Sequence, residues 1–312
     1  MNQFNSNISE LKENIFLTDG GLETTLIFQQ GIDLPHFAAF DLLSYEEGKM
    51  ILKNYYLDYI QIAKKNKLGF ILESPTWRAN LDWGYKMGYS HNSLDRINRI
   101  AIEQLHKIRI ENEEDTTIMF ISGCIGPRGD GYNPSIKMEI AEAEIYHSSQ
   151  IQTFRKADAD MISAITMNYV EEALGITNAA KNAKIPAVIS FTVETDGKLP
   201  SGQSLGDAIK QIDDSSDSYP MYYMINCAHP SHFRDVLSKG DRWMERIHGI
   251  RANASSKSHA ELDEAEHLDC GDKKELAEKY QELQKLLPNL KVIGGCCGTD
   301  HTHIEAICKA LI

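Results

Sequence analysis

The chain has 312 residues, 42% of them hydrophobic and 25% charged, with a formal net charge of -13. That balance fits a soluble globular protein and argues against a nucleic-acid surface, which needs clustered Lys and Arg, and no apolar stretch is long enough to span a bilayer. The polar start, Met1 to Asn14, lacks the layout of a secretory leader, and six cysteines are too sparse for a disulfide scaffold, so the cytoplasm is the expected compartment.

Residues 1–14 read as a lead-in. Short β-rich apolar runs then recur at 15–19, 69–73, 117–123, 161–167, 187–193, 221–227, 246–251 and 291–295. Amphipathic segments lie between them, among them 45–65, 94–112, 139–156, 170–182 and 273–287, and a last helix fits 301–311. Strand–helix alternation implies parallel strands, which read as near-continuous apolar runs when both faces are covered. Eight such units over 1–312 predict a single-domain (β/α)8 TIM barrel, with a doubly wound open sheet as the alternative. The irregular stretch 253–272 is rich in Ser, Glu, Asp and His and follows the seventh run. It would hang over the barrel's C-terminal face, as a lid or as a solvated acidic excursion.

The densest chemical signal is Gly294-Gly295-Cys296-Cys297-Gly298, directly after the eighth run. Adjacent thiols are poor disulfide partners for each other but good ligands for a soft metal when a third donor is supplied. Cys227 ends the sixth run, and strand ends in a barrel gather at one mouth. Cys227, Cys296 and Cys297 therefore form a candidate Zn2+ site with a fourth position open. A substrate thiol placed there would lose its proton and be held for attack, so alkyl transfer to sulfur suits this donor set better than hydrolysis. Cys124, Cys270 and Cys308 read as packing or loop residues. Asp300 reads as the cap of the last helix, with His301 and His303 in its first turns.

These residues resemble the zinc-dependent homocysteine S-methyltransferases over nearly the whole chain. The anchors are Asp19-Gly20-Gly21, the Gly-Pro turn Gly126-Pro127, Asn226-Cys227 and Gly294–Gly298. The resemblance implies Zn2+ on Cys227, Cys296 and Cys297 and methyl transfer to homocysteine, giving methionine. The nucleophile would be the substrate's own metal-bound thiolate, with no protein nucleophile. It also implies Asp19 on the substrate ammonium, the amides of Gly20 and Gly21 on its carboxylate, and Thr166 and Asn226 among the substrate-binding residues. One departure stands out: Ile165 occupies a position where the family carries Glu. Glu73 and Glu194, at the ends of the second and fifth runs, are the candidates to compensate. Trp77, Trp83, Tyr85 and Tyr89 follow the second run and either pack a loop or face a cationic donor.

The chain ends with its eighth unit. It resembles the short branch that uses S-methylmethionine, so a sulfonium donor, S-methylmethionine or S-adenosylmethionine, is expected. The expected partners are small molecules, a thiol acceptor and a methyl donor, with no nucleic acid and no membrane. The alternatives are another thiol acceptor, or a non-catalytic zinc- or redox-sensing barrel.

Overall fold

The computed structural model describes residues 10–312 apart from positions 136, 239 and 266; residues 1–9 of the expected lead-in lie outside the described residues. Eight parallel strands close into a barrel in sequence order: β1 (Phe16–Leu17), β2 (Gly69–Glu73), β3 (Met119–Ile125), β4 (Met161–Met167), β5 (Ala187–Phe191), β6 (Tyr223–Asn226), β7 (Ile247–Ala252) and β8 (Val292–Gly295). β1 pairs with both β2 and β8, which closes the ring. The predicted (β/α)8 barrel is therefore the fold, and the open-sheet alternative falls away.

The outer helices are α1 (Glu46–Asn66), α2 (His91–Asn112), α3 (Ile140–Lys156), α4 (Val170–Ala183), α5 (Leu205–Ser216), α6 (Pro230–Leu237), a short α7 (His259–Asp263), α8 (Lys273–Leu286) and α9 (His301–Leu311). Each of the longer helices buries a stripe of apolar residues. On α1, Leu52, Tyr55, Tyr56, Tyr59, Ile60 and Ala63 recur at helical spacing and pack inward. Lys67 then ends that helix in the left-handed region, at φ 54°.

A second apolar cluster fills the barrel itself, from alternate positions of neighbouring strands: Phe16, Ile71, Phe120, Met161, Val188, Met224 and Val292. The Phe16 and Phe120 rings lie 5.3 Å apart. Cys124 and Ile165 belong to this cluster and also line the cavity above it, so they form its upper layer. The apolar plug thus fills the barrel below the cavity at its C-terminal mouth.

The stretch 253–272, expected to be irregular, contains α7. Its N-terminus is closed by a capping box between Ser258 and Glu261. Among the described residues, no helix is long and apolar enough to cross a membrane.

Candidate active site and metal centre

The loop after β8 is pinned on three sides. Gly295 N–H donates to the Asp19 carbonyl at 2.9 Å, Cys296 N–H to Ala252 at 2.9 Å, and Ala254 N–H to the Cys297 carbonyl at 3.0 Å. Gly298 turns the chain at φ 80°. At Gly21 a Cβ would lie 2.6 Å from the Cys296 carbonyl oxygen, so only glycine lets the β1 loop approach so closely.

Across the mouth, Cys227 follows β6 at φ 53° and Thr166 sits near the end of β4 at φ 66°. Both are left-handed, which costs a non-glycine residue about 1–2 kcal/mol. Thr166 falls where the β4–β5 register shifts, a bulge that re-aims its side chain. Asn226 holds the arrangement. Its Oδ1 accepts from Thr166 N–H at 3.0 Å and Ser190 Oγ at 2.6 Å, and its Nδ2 donates to Thr166 Oγ1 at 2.8 Å. Cys227 N–H donates to the Arg251 carbonyl at 3.1 Å, and His259 Nε2 lies 2.6 Å from the Cys227 carbonyl.

The sulfurs of Cys227, Cys296 and Cys297 all lie within 4.8 Å of one another. Cys227 and Cys296 are joined as a disulfide here, and Cys297 Sγ is 3.9 Å from Cys227 Sγ. Four thiolate-type ligands at about 2.3 Å from zinc would stand about 3.8 Å apart. A soft, convergent, partly buried sulfur trio therefore fits a zinc ion once the disulfide pair is reduced.

Beside the sulfurs is a cavity of about 350 Å3, large enough for a small ligand. Asp19, Gly20, Gly21, Glu73, Thr166 and Arg251 line it, with Ile165 and Cys124 as apolar patches. The ionisable groups on its floor are interlocked. Arg251 Nη2 donates to Asp19 Oδ1 at 2.6 Å, Tyr55 Oη donates to Asp19 Oδ2 at 3.1 Å, and Arg251 Nη1 stands 3.9 Å from Glu73 Oε1. Burial alone would lower Arg251, but Asp19 and Glu73 outweigh it and hold the guanidinium firmly protonated. Burial also pushes the Glu73 carboxyl up to about 7, against the pull of Arg251.

Several expected contacts are placed differently. Glu194 does not line the cavity: its carboxylate stands at the rim, 3.4 Å from His259 Nδ1. The Asn226 side chain is spent on Thr166 and Ser190, so it supports the site from behind. The Gly21 amide donates to the Thr299 carbonyl at 3.0 Å, which leaves it no N–H for a substrate carboxylate. Trp77 and Trp83 do face a cation, but a resident one. The Arg78 guanidinium stacks 4.1 Å from one indole and 3.9 Å from the other. Tyr89 donates to Asp41 at 2.5 Å and packs on Phe40, and Tyr85 is exposed. His303 Nδ1 lies 2.8 Å from Asp300 Oδ1 as part of a helix cap, not beside the sulfurs.

Sequence reading missed Arg251, Arg78, Tyr132 and His259. The Tyr132 ring stacks on His259 at 4.0 Å, and its hydroxyl is 3.9 Å from Cys297 Sγ. Polar side chains at strand ends and loops carry no periodic signal of their own; for Arg251, its place between Ile250 and Ala252 near the end of the seventh run was the available hint.

A closed (β/α)8 barrel with a sulfur trio and an ionisable floor at its C-terminal mouth defines a class of small-molecule enzyme built around thiol ligands. The sequence profile of the homocysteine S-methyltransferases matches residues 16–311, and the chain belongs to that family. Homocysteine S-methyltransferase 1 of Arabidopsis thaliana is 23% identical over 95% of this chain and 93% of its own length. A selenocysteine Se-methyltransferase of Brassica oleracea var. italica is also 23% identical, over 95% of this chain and 88% of its own length. In fold, the chain is similar to the homocysteine methyltransferase MmuM of Escherichia coli in its metallated form. That match has a TM-score of 0.75 at 17% identity and covers 99% of both chains.

Proposed function

We propose that this protein, acting as one barrel domain, methylates the sulfur of homocysteine. The proposed donor is a sulfonium compound, S-methylmethionine or S-adenosylmethionine, and the metal is zinc held by Cys227, Cys296 and Cys297. The observation that carries this reading is the convergence of three sulfurs from β6 and the loop after β8 beside one ligand-sized cavity. Zinc in that trio would supply Lewis acidity that holds a thiol deprotonated near neutral pH.

The chain's own groups do the rest. The floor of Asp19, Gly20, Glu73 and Thr166 faces the acceptor's amino-acid end, and Ile165 gives its methylene chain an apolar wall. Trp77, Phe28 and Phe37 line the outer part of the cavity, where the donor would approach. The acceptor sulfur forms a bond to the methyl carbon while the donor's S–CH3 bond breaks. Its electron pair returns to the donor sulfur, leaving a neutral thioether, and the thiol proton passes to solvent. Proximity and alignment are then the principal tasks of the protein.

The test is a panel of thiols crossed with methyl donors, on protein reconstituted with zinc under reducing conditions and read by product mass. The expected outcome is methionine from homocysteine with a sulfonium donor, about one zinc per chain, and loss of both in Cys296→Ala. Full activity in zinc-free protein would overturn the metal assignment, and transfer only to another thiol would overturn the acceptor.

A further inference from the structure

Three ionisable side chains meet on the cavity floor. Asp19, Glu73 and Arg251 are each buried, and all line the cavity. Asp19 is saturated from within the protein: Arg251 holds one carboxylate oxygen at 2.6 Å and Tyr55 the other at 3.1 Å. Arg251 is committed in turn, its Nε donating to the Gly295 carbonyl at 3.2 Å. Glu73 is the exception. Its Oε1 stands 3.9 Å from Arg251 Nη1, beyond hydrogen-bond reach, and its Oε2 is buried with no hydrogen-bond partner. A buried carboxylate oxygen left without a donor is costly. The two carboxylates nearest Arg251, Asp19 and Glu73, also share its single guanidinium, with Glu23 and Arg78 further along the cavity lining. Ile165, which lines the cavity from β4, is apolar and supplies no counter-charge.

We infer that Glu73 is the residue that selects the acceptor's ammonium group, while Asp19 serves as the internal counter-ion that fixes Arg251. This rests on the proposed thiol-methyltransferase reading and deepens it. The acceptor is a thiol carrying a protonated amine, and the specificity for that amine resides at the end of β2. An incoming –NH3+ supplies the missing hydrogen-bond donor and a positive charge together. A thiol with a carboxylate but no amine would leave Glu73 unpaired and place a second anion in the mouth.

The experiment compares homocysteine with 4-mercaptobutanoate, which lacks only the amino group, on the zinc-reconstituted protein. Turnover is measured at saturating donor, and binding by calorimetry. Wild type is expected to favour homocysteine. Glu73→Gln should weaken homocysteine about 10- to 100-fold, mainly in KM, and leave 4-mercaptobutanoate within about twofold. Glu73→Asp, which keeps the charge, should recover part of the preference. Equal loss of both ligands in Glu73→Gln would reduce Glu73 to a structural role and overturn the inference, as would a wild type that binds both thiols equally. A wild type that binds homocysteine preferentially but transfers no methyl to it counts against the proposed reaction. In that case the binding comparison alone decides for or against Glu73.

Discussion

At the scale of single residues, the site depends on two left-handed backbones that the sequence does not announce. Thr166 and Cys227 carry φ of 66° and 53°, and Thr166 Oγ1 comes within 4.0 Å of Cys227 Sγ. Asn226 is the brace, bonded to the Thr166 amide and hydroxyl and to Ser190. Asn226→Ala leaves those buried groups unpaired and should cost about 1–3 kcal/mol per unsatisfied group, read as a lowered urea midpoint with an unchanged slope. Arg251→Leu is harsher. It strips the counter-charge from Asp19 and weakens it at Glu73, and should destabilise the fold by about 3–5 kcal/mol. What was legible in the sequence divides on the same line. The cysteines stood out because glycine-flanked vicinal thiols have few structural uses. Asn226 was noticed for its neighbour and assigned to the substrate, whereas its side chain turns to Thr166. Arg251 went unread because a lone arginine in a strand has no partner in the one-dimensional sequence; Asp19 lies 232 positions away.

At the scale of elements, the strand–helix alternation was readable because buried parallel strands are uniformly apolar, and β2, β4 and α9 fall at the predicted bounds. The misplacements have a physical cause. β1 is only Phe16–Leu17, and β6 stops at Asn226, because at the mouth the chain leaves the ladder to build the site while its side chains stay buried. The short α7 was hidden within 253–272 because most of its residues are polar. Its anchor is the stack of His259 on Tyr132, which ties that stretch to the loop after β3. Tyr132→Ala should loosen 254–271, seen as faster amide exchange there with little change in α1 or α4, while Tyr132→Phe keeps the stack and the protection. Unchanged exchange in Tyr132→Ala would show that the stack carries no weight. The cap of α9 sets a pH dependence. Partial burial raises the Asp300 carboxyl, but hydrogen bonds from His303 and Thr302 overcome that and hold it well below its ordinary value. A depressed carboxyl contributes stability above the unfolded-state pKa of about 3.9 and loses it as pH falls through the folded value. Asp300→Asn, which keeps a cap but removes the charge, should therefore cost about 0.3–1 kcal/mol at pH 6, and the difference should begin to shrink as the pH drops below about 4 and vanish only as it falls through the depressed folded value.

At the scale of the whole molecule, the sulfur trio joins segments that close the barrel. Cys227 follows β6, Cys296 and Cys297 follow β8, and β8 is the strand that pairs with β1. Between them the chain runs through α6, β7, α7, α8 and β8, so an ion held by the three sulfurs would cross-link roughly the last quarter of the barrel to itself at the point of ring closure. Such a ligand binds the folded state and stabilises it by mass action. At a free zinc concentration 100 times the dissociation constant the gain is about 2.7 kcal/mol. With an unfolding entropy of about 2.1 cal/mol/K per residue, a chain of this length should gain about 4 °C in Tm. The measurement is a calorimetric melt of reduced protein with chelator, then with buffered zinc, alongside Cys297→Ser. Wild type should melt in one transition that moves up as a unit with zinc, because the ligands sit on strands that the closed ring couples together. Cys297→Ser should show a much smaller shift. A zinc-induced transition confined to part of the melt would mean that the site stabilises only its own loop, and an equal shift in Cys297→Ser would place the ion elsewhere.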